Sequence, residues 1–175
     1  MLKRLFKLLK PASPFSQCSY SASEHGISKD QLSGNAIKVC QQLQQANYEA
    51  YIVGGGVRDS LLEGQPKDFD VATNATPEQV RGLFRNSRII GRRFKIVHVR
   101  FGRELIEVTT FRGNHEQSSS RDAVKSEKGL LLRDNVYGDL ASDAVRRDFS
   151  INALYYDPST EEVHDFTNGL KDLNN

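Results

Sequence analysis

At 175 residues, with 38% hydrophobic and 26% charged residues, the chain is typical of a globular protein with one sizeable hydrophobic core. Its net charge of +2 is too small to indicate nucleic-acid binding by itself, and no stretch is apolar for long enough to span a membrane. The two cysteines, Cys18 and Cys40, and the four scattered histidines form neither a disulfide framework nor a zinc-ligand spacing. This composition fits a reduced, cytoplasmic compartment.

Residues 1–26 are predicted to form a disordered, basic N-terminal arm outside the folded domain. No acidic residue precedes Glu24, and residues 1–10 alternate apolar and basic side chains in the pattern of a short amphipathic helix. Three interpretations are open: a disordered arm, a helix with weak contact to a membrane surface or to RNA, and an organelle transit peptide. We favour the arm because Pro11 and Pro14 end the helix early.

The folded domain is predicted to span residues 27–175 and to begin with helices and strands in alternation. Apolar residues recur at helical spacing between Leu32 and Leu43, with Cys40 on the core face. Thr76 followed by Pro77 marks the start of a later helix. A strand, a short helix and a second strand are predicted, in that order, at residues 50–53, 57–62 and 68–73.

The second half of the chain carries a hairpin and a long loop. Two segments with alternating hydrophobicity meet at Gly102 and Arg103, which predicts a β-hairpin. The polar stretch 112–135 is predicted to be a long mobile loop, residues 139–154 a helix, and residues 162–166 a last short strand. This order of elements predicts the α+β class, a small mixed α/β sheet with helices packed on it.

Asp68 and Asp70 are the first candidates for chemistry. Residues two apart in a strand project from the same face, so both carboxylates would point one way and Phe69 the other. Two such carboxylates repel each other unless a cation joins them, and their hard oxygens suit Mg²⁺. The alternative is a pair of surface or turn aspartates, which is the commoner origin of this short pattern.

Glu107 is the only charged residue inside an otherwise apolar or hydroxylated strand. A buried carboxylate without a partner would be unfavourable. Two interpretations are therefore open: Glu107 faces solvent on a half-buried sheet, or it completes a metal site with the two aspartates.

Three glycines, 54–56, follow a strand and open a helix. Backbone amides at such a turn can hold phosphate oxygens, Gly54 and Gly55 allow a close approach, and Arg58 can add a charge-assisted contact. The alternative is a tight structural turn.

The predicted helix 139–154 carries the fourth candidate group. On a helix, Asp148 and Asn152 would share one face, and Asp143 could pair with Arg147. At least one of Arg146 and Arg147 could then reach a triphosphate, although a salt-bridged surface helix gives the same pattern.

Residues 81–103 contain eight basic residues and no acidic one. The stretch is either a solvated basic face or a surface that steers RNA towards the site.

In combination these motifs are specific. Residues 53–62, 67–71 and 146–153 read VGGGVRDSLL, KDFDV and RRDFSINA, and over about 27–173 the chain resembles the bacterial poly(A) polymerase and CCA-adding tRNA nucleotidyltransferase family. Segments near 91–95, 106–112 and 130–135 are more similar to the poly(A) polymerase branch.

The resemblance implies a nucleotidyltransferase head with a polymerase beta-like fold. It implies addition of AMP from ATP to RNA 3′ ends with two Mg²⁺ ions, and CCA addition is the alternative within the family. The residue roles implied by it are metal binding by Asp68, Asp70 and Glu107, catalysis by Asp68, Asp70 and Asp148, and triphosphate contact by Gly54, Gly55, Arg58, Arg146, Arg147 and Asn152.

Members of this family continue with helical regions that select the base and bind RNA, and the sequence ends before such a region. The expectation is a truncated or partial chain that acts on RNA and ATP in the cytoplasm. A rival from another class is a noncatalytic RNA-binding relic, against which the intact set of carboxylates argues.

Overall fold

A computed structural model describes residues 17–92, 94–113, 123–125, 131–134 and 137–174. The strands are β1 (Cys18–Tyr20), β2 (Ala50–Val53), β3 (Asp70–Thr73), β4 (Ser87–Ile90), β5 (Ile96–Phe101), β6 (Glu104–Thr110), β7 (Ala123–Lys125), β8 (Leu131–Asp134), β9 (Leu154–Asp157) and β10 (Glu162–Asp165). The α-helices are α1 (Ala22–His25), α2 (Gly34–Gln45), α3 (Gly55–Leu61), α4 (Pro77–Leu83), α5 (Leu140–Val145) and α6 (Gly169–Leu173), and the 3₁₀ helices are Lys29–Gln31 and Ser150–Asn152.

Eight of these strands form one mixed sheet in the order β1-β10-β9-β2-β3-β6-β5-β4, and β7 pairs with β8 separately. Within the large sheet, β3 and β6 run parallel, and every other neighbouring pair is antiparallel. A parallel pair requires a crossover, which here passes through α4, β4 and β5. The mixed α/β sheet predicted from the sequence is confirmed.

Two hydrophobic cores lie on opposite faces of the sheet. The larger one joins α2, α3 and α4 to the sheet, and it includes Val39, Leu43 and Ile106, each fully buried. The smaller one lies under α5 and contains Leu140 and Tyr155. The smaller core covers only part of its sheet face, and Asp70 and Glu107, two of the carboxylates predicted to bind metal, lie on that face.

Several elements form where local sequence signals predict them. Helix α2 forms within the segment of predicted apolar spacing, and it begins after Ser33, a cap that sequence reasoning missed. The Oγ of Ser33 accepts hydrogen bonds from the backbone N–H groups of Asn35 and Ala36 at 3.1 and 3.2 Å. Helix α4 begins after Thr76, which forms a reciprocal capping box with Gln79. The strand at Ala50–Val53, the hairpin of β5 and β6, and the last strand are likewise confirmed.

The predicted helix over 139–154 is wrong. Helix α5 ends at Val145, a 3₁₀ turn follows at Ser150–Asn152, and Leu154–Asp157 is a strand. Strand β9 is hydrogen-bonded to β2 on one side and β10 on the other, so its backbone groups are satisfied by neighbours remote in sequence. Its consecutive tyrosines also favour a strand, and this long-range pairing outweighs the local helical pattern.

The folded region begins earlier than residue 27. Strand β1 pairs with β10, and His25 is buried with its Nε2 3.0 Å from the carbonyl oxygen of Glu161. Residues 17–26 therefore belong to the fold, and the rest of the predicted arm lies outside the described residues. The predicted loop over 112–135 contains β7 and β8, while its other residues between 114 and 136 also lie outside the described part. Sequence reasoning also missed β4 and α6.

Within the described ranges, no helix combines the length and the apolar character that crossing a bilayer requires.

Candidate active site

The Asp68 and Asp70 pair lies at the start of a central strand. Asp70 opens β3, whereas Asp68 precedes the strand, so the predicted strand is two residues too long. Phe69, between them, is buried in the larger core and is 5% exposed. Both aspartates line one cavity of about 440 Å³ together with Gly55 and Gly56. The prediction that the two carboxylates lie together is supported by this shared cavity.

Glu107 lies beside Asp70 because the two residues are register partners in the parallel β3–β6 pair. Burial raises the pKa of Asp70 above its ordinary value, and the nearby charges of Glu107 and Asp68 raise it further, while Arg147 opposes them. The carboxylates of Glu107, on the neighbouring strand, and of Asp68, just before β3, therefore both act electrostatically on Asp70. Of the two interpretations of Glu107, the structure shows a side chain that is 45% exposed and also adjacent to the aspartate pair.

Sequence reasoning missed His98, which contacts Glu107. The Nε2 of His98 lies 3.1 Å from Oε1 of Glu107, and the two residues are register partners in the β5–β6 hairpin. His98 is flanked in β5 by Val97 and Val99, which are buried on the opposite face. This alternation was available in the sequence and could have identified His98 as a residue of the Glu107 face.

The carboxylate set matches Mg²⁺ in chemistry, since it offers hard oxygen ligands from two adjacent strands and from Asp68, just before one of them. Among the described residues, no three His, Cys, Asp or Glu side chains converge closely enough to hold a metal ion. The Glu107 carboxylate is instead directed to His98. Metal binding by Asp68, Asp70 and Glu107 thus stays a prediction, which the donor chemistry and the register support.

The glycine turn brings its backbone to the aspartate pair. Gly54 has φ 81° and ψ −145°, a conformation that essentially only glycine adopts. A methyl group added at Gly54 would lie 3.3 Å from Oδ2 of Asp70 and 3.9 Å from Nη1 of Arg147. The turn therefore does more than connect β2 to α3, because it meets both a carboxylate and an arginine of the candidate site.

Arg58 and Asn152 meet at this site although they are far apart in sequence. Nη1 of Arg58 donates to Oδ1 of Asn152 at 2.8 Å, while its Nε and Nη2 contact Oδ1 of Asp59 at 2.8 and 2.7 Å. The Arg58 side chain remains 31% exposed, so it can exchange part of this pairing for a phosphate.

Two buried polar residues, Tyr155 and Asp143, hold the side chain of Arg147 by hydrogen bonds. Its Nε donates to the hydroxyl of Tyr155 at 2.9 Å, and its Nη2 donates to Oδ2 of Asp143 at 3.2 Å. The Tyr155 hydroxyl in turn donates to the same Asp143 oxygen at 2.8 Å. The predicted Asp143–Arg147 pair is confirmed, and Tyr155 is a further member that sequence reasoning missed.

Arg146 and Asp148 lie at the edge of this arrangement. Arg146 is exposed and lines a second cavity of about 250 Å³ with Thr109, Arg112, Asp143 and Arg147. Asp148 is exposed in the turn after α5, and its Oδ1 accepts a hydrogen bond from its neighbour's backbone N–H. Asp148 and Asn152 do not share a helix face, since the helix ends before them. The roles of Arg146 and Asp148 stay predictions.

One cross-strand row explains why these residues meet. Tyr155, Val53, Asp70, Glu107 and His98 are successive register partners across β9, β2, β3, β6 and β5. Residues in such a row project from the same sheet face, close to their neighbours on adjacent strands. Within this row, the fully buried Tyr155 and Val53 are followed by the polar side chains of Asp70, Glu107 and His98.

The chain is similar to known proteins over the region that contains these residues. Residues 50–175 match the family model described as the poly A polymerase head domain. The chain is 56% identical over 152 residues to poly(A) polymerase I of Salmonella typhimurium, covering 86% of the chain and 33% of that protein. It is 41% identical over 140 residues to a CCA-adding enzyme of Lactobacillus helveticus, covering 80% of the chain and 33% of that enzyme.

A solved structure is also similar. The CCA-adding enzyme of Bacillus stearothermophilus, crystallised in complex with CTP, superimposes with a TM-score of 0.63 at 32% identity, covering 79% of the chain and 31% of that structure. The chain thus spans about a third of the length of the curated relatives that it matches.

Proposed function

The chain belongs to the poly A polymerase head-domain family, and from this premise we propose that it transfers AMP from ATP to the 3′ end of RNA, releasing pyrophosphate. The observation that carries the proposal is the register of Asp70 with Glu107, beside Asp68 and the Gly54 turn. That register gathers anionic ligands and cationic side chains at one position, as phosphoryl transfer requires.

The proposed metal ligands are Asp68, Asp70 and Glu107, which would hold two Mg²⁺ ions. When bound, Mg²⁺ lowers the pKa of the RNA 3′-hydroxyl and offsets negative charge on the departing pyrophosphate. Burial raises the pKa of Asp70, and repulsion from Glu107 and Asp68 raises it further; a cation shared among the three carboxylates would relieve that repulsion. The carboxylates thus favour the metal-bound form because of the same charges that are unfavourable without it.

The proposed phosphate contacts come from the glycine turn and from nearby arginines. Gly54 and Gly55 leave the backbone free of side chains near Asp70, so a triphosphate can approach closely. Arg58, Arg146 and Arg147 would neutralise phosphate oxygens, and Asn152 would orient Arg58 through their 2.8 Å hydrogen bond. We retain Asp148 as a proposed catalytic residue on the resemblance of its RRD motif alone.

RNA would approach along the basic stretch 81–103. Arg93 lies outside the described residues. The other arginines of this stretch are all exposed: Arg81, Arg85, Arg88, Arg92, Arg100 and Arg103. A row of exposed cations favours binding of a polyanionic chain. We expect RNA affinity to fall steeply with salt, and we place the reaction in the cytoplasm.

The test is incubation of the purified chain with Mg²⁺, a short unstructured RNA, and ATP or CTP in parallel. We expect RNA to lengthen with ATP, and Asp70→Asn to abolish the lengthening. The matched control is Glu78→Gln. Glu78 lies on α4, which packs on the other sheet face, and its exposed carboxylate is paired with Lys95. If Asp70→Asn extends RNA as fast as the unsubstituted chain, the proposed site is wrong.

CCA addition is the second candidate, favoured by the 41% identity to a CCA-adding enzyme. The greater identity to a poly(A) polymerase, 56%, makes AMP addition the first candidate. Incorporation of CMP onto a tRNA that lacks its 3′ end would reverse this order. Binding of RNA without any Mg²⁺-dependent binding of nucleotide would instead indicate a noncatalytic relic.

A further inference from the structure

A polar cluster next to the candidate site contains two buried residues, Asp143 and Tyr155, that have no role in the chemistry proposed above. It consists of Asp143 on α5, Tyr155 on β9 and Arg147 in the turn between them. Tyr155 is 0% exposed, Asp143 is 6% exposed, and the Arg147 side chain is 23% exposed. Tyr155 belongs to the smaller core and lies in the cross-strand row that contains Asp70.

Both carboxylate oxygens of Asp143 and the hydroxyl of Tyr155 are hydrogen-bonded. Oδ1 of Asp143 accepts from the backbone N–H of Arg112 at 3.0 Å, and Oδ2 accepts from both Tyr155 and Arg147. A buried ion pair of this kind is weak evidence for added stability, because apolar side chains of similar size stabilise a fold at least as well. Its presence therefore calls for another explanation.

The hydrogen-bond directions fix one orientation of the guanidinium. Burial raises the pKa of Tyr155 well above its ordinary value, so the phenol stays protonated and donates to Asp143. The hydroxyl oxygen of Tyr155 also accepts a hydrogen bond from Nε of Arg147, and Oδ2 of Asp143 accepts one from Nη2 of Arg147. Two of the three guanidinium nitrogens are thereby directed into the cluster.

The third guanidinium nitrogen of Arg147, Nη1, lies near the glycine turn of the candidate site. Nη1 of Arg147 makes only a long contact, 3.4 Å, with the carbonyl oxygen of Asn152. It lies 3.9 Å from where a methyl group on Gly54 would stand, and that methyl would be 3.3 Å from Asp70. The cluster thus aims one N–H edge of Arg147 at the space between the glycine turn and the carboxylates.

We propose that Tyr155 and Asp143 are positioning residues that hold Arg147 ready to bind a triphosphate oxygen beside Asp70. This inference rests on the proposed function. A guanidinium locked before the substrate arrives needs no reorganisation when negative charge develops, and this preorganisation makes its contribution large. Neither Tyr155 nor Asp143 touches the nucleotide in this arrangement.

The test compares two neighbouring tyrosines. Tyr155→Phe keeps the buried ring and removes only the hydroxyl. Tyr156→Phe is the matched control, because Tyr156 is equally buried at 1% exposed but packs in the larger core on the other face. The dissociation constant of Mg·ATP is measured by titration calorimetry, and the KM values for ATP and RNA by extension of a short RNA.

We expect Tyr155→Phe to weaken Mg·ATP binding on the order of tenfold, by analogy with loss of other outer-shell partners. The KM for ATP should rise with it, while the KM for RNA and all values for Tyr156→Phe should stay unchanged. In a background of Arg147→Lys, Tyr155→Phe should have no further effect, since it acts through Arg147.

Two outcomes separate the possible failures. If the unsubstituted chain neither binds Mg·ATP nor extends RNA, the proposed function fails, and this inference fails with it. If the unsubstituted chain binds Mg·ATP and Tyr155→Phe binds it equally well, or weakens it equally in the Arg147→Lys background, only the positioning role is overturned.

Discussion

Gly54→Ala perturbs the turn that carries backbone into the candidate site, and its effect can be estimated from two features. The backbone at Gly54 has φ 81° and ψ −145°, which places an alanine in a sparsely populated region at a strain of about 1–3 kcal/mol. The added methyl would also stand 3.3 Å from Oδ2 of Asp70, tighter than most contacts of this kind. We expect lower stability together with displacement of the Asp70 carboxylate.

A control variant separates the loss of stability from the displacement of Asp70. For a chain of this size, each kcal/mol of destabilisation lowers Tm by about 2–4 °C. Gly102→Ala is the matched control: Gly102 also has positive φ, 60°, but a methyl there meets no atom within 4 Å. We expect Gly102→Ala to be destabilised by roughly 1–2 kcal/mol and to bind Mg·ATP normally.

The assay pairs thermal unfolding with Mg·ATP titration at a temperature where both variants are folded. Gly54→Ala should bind Mg·ATP at least tenfold more weakly, because disturbing the groups around metal ligands typically lowers metal affinity by at least about tenfold. If Gly54→Ala and Gly102→Ala lose similar stability and both retain full Mg·ATP affinity, the reasoning that the Gly54 turn contacts the nucleotide site is refuted.

Three further predictions follow from the burial and charge of Asp70, His98 and Leu43. Burial and the charges of Glu107 and Asp68 raise the pKa of Asp70 in the folded state, so its ionised form opposes folding above its unfolded pKa of about 3.9. In the presence of a chelator, Asp70→Asn should therefore raise Tm at pH 7 and not at pH 3, and an equal gain at both would contradict the raised pKa. His98→Ala removes the 3.1 Å contact that orients Glu107 and should raise the Mg²⁺ concentration for half-maximal activity on the order of tenfold, whereas an unchanged Mg²⁺ titration would leave His98 without a role. Leu43→Ala should reduce the free energy of unfolding by about 2–5 kcal/mol in a urea titration, while Leu62→Ala, whose leucine is 57% exposed, should change it little; equal losses would contradict the assigned core.

Local sequence signals predicted elements that depend on near neighbours. The capping box of Thr76 and Gln79 and the hairpin at Gly102 each involve residues within a few positions. The same holds for the apolar spacing of α2, whose predicted core residue Cys40 is fully buried. Where those signals met long-range pairing, they failed: the helix predicted over 139–154 gives way to β9 because β2 and β10 supply its hydrogen bonds.

The sequence by itself determined which chemical groups the protein has available: a carboxylate pair two residues apart, a glycine turn after a strand, and adjacent arginines. It also identified the family through those motifs. Only the tertiary structure decided that Glu107 stands beside Asp70, that His98 contacts Glu107, and that Tyr155 anchors Arg147. These contacts follow from strand order and register, which depend on how the whole sheet packs, and register moves every side chain of a strand together.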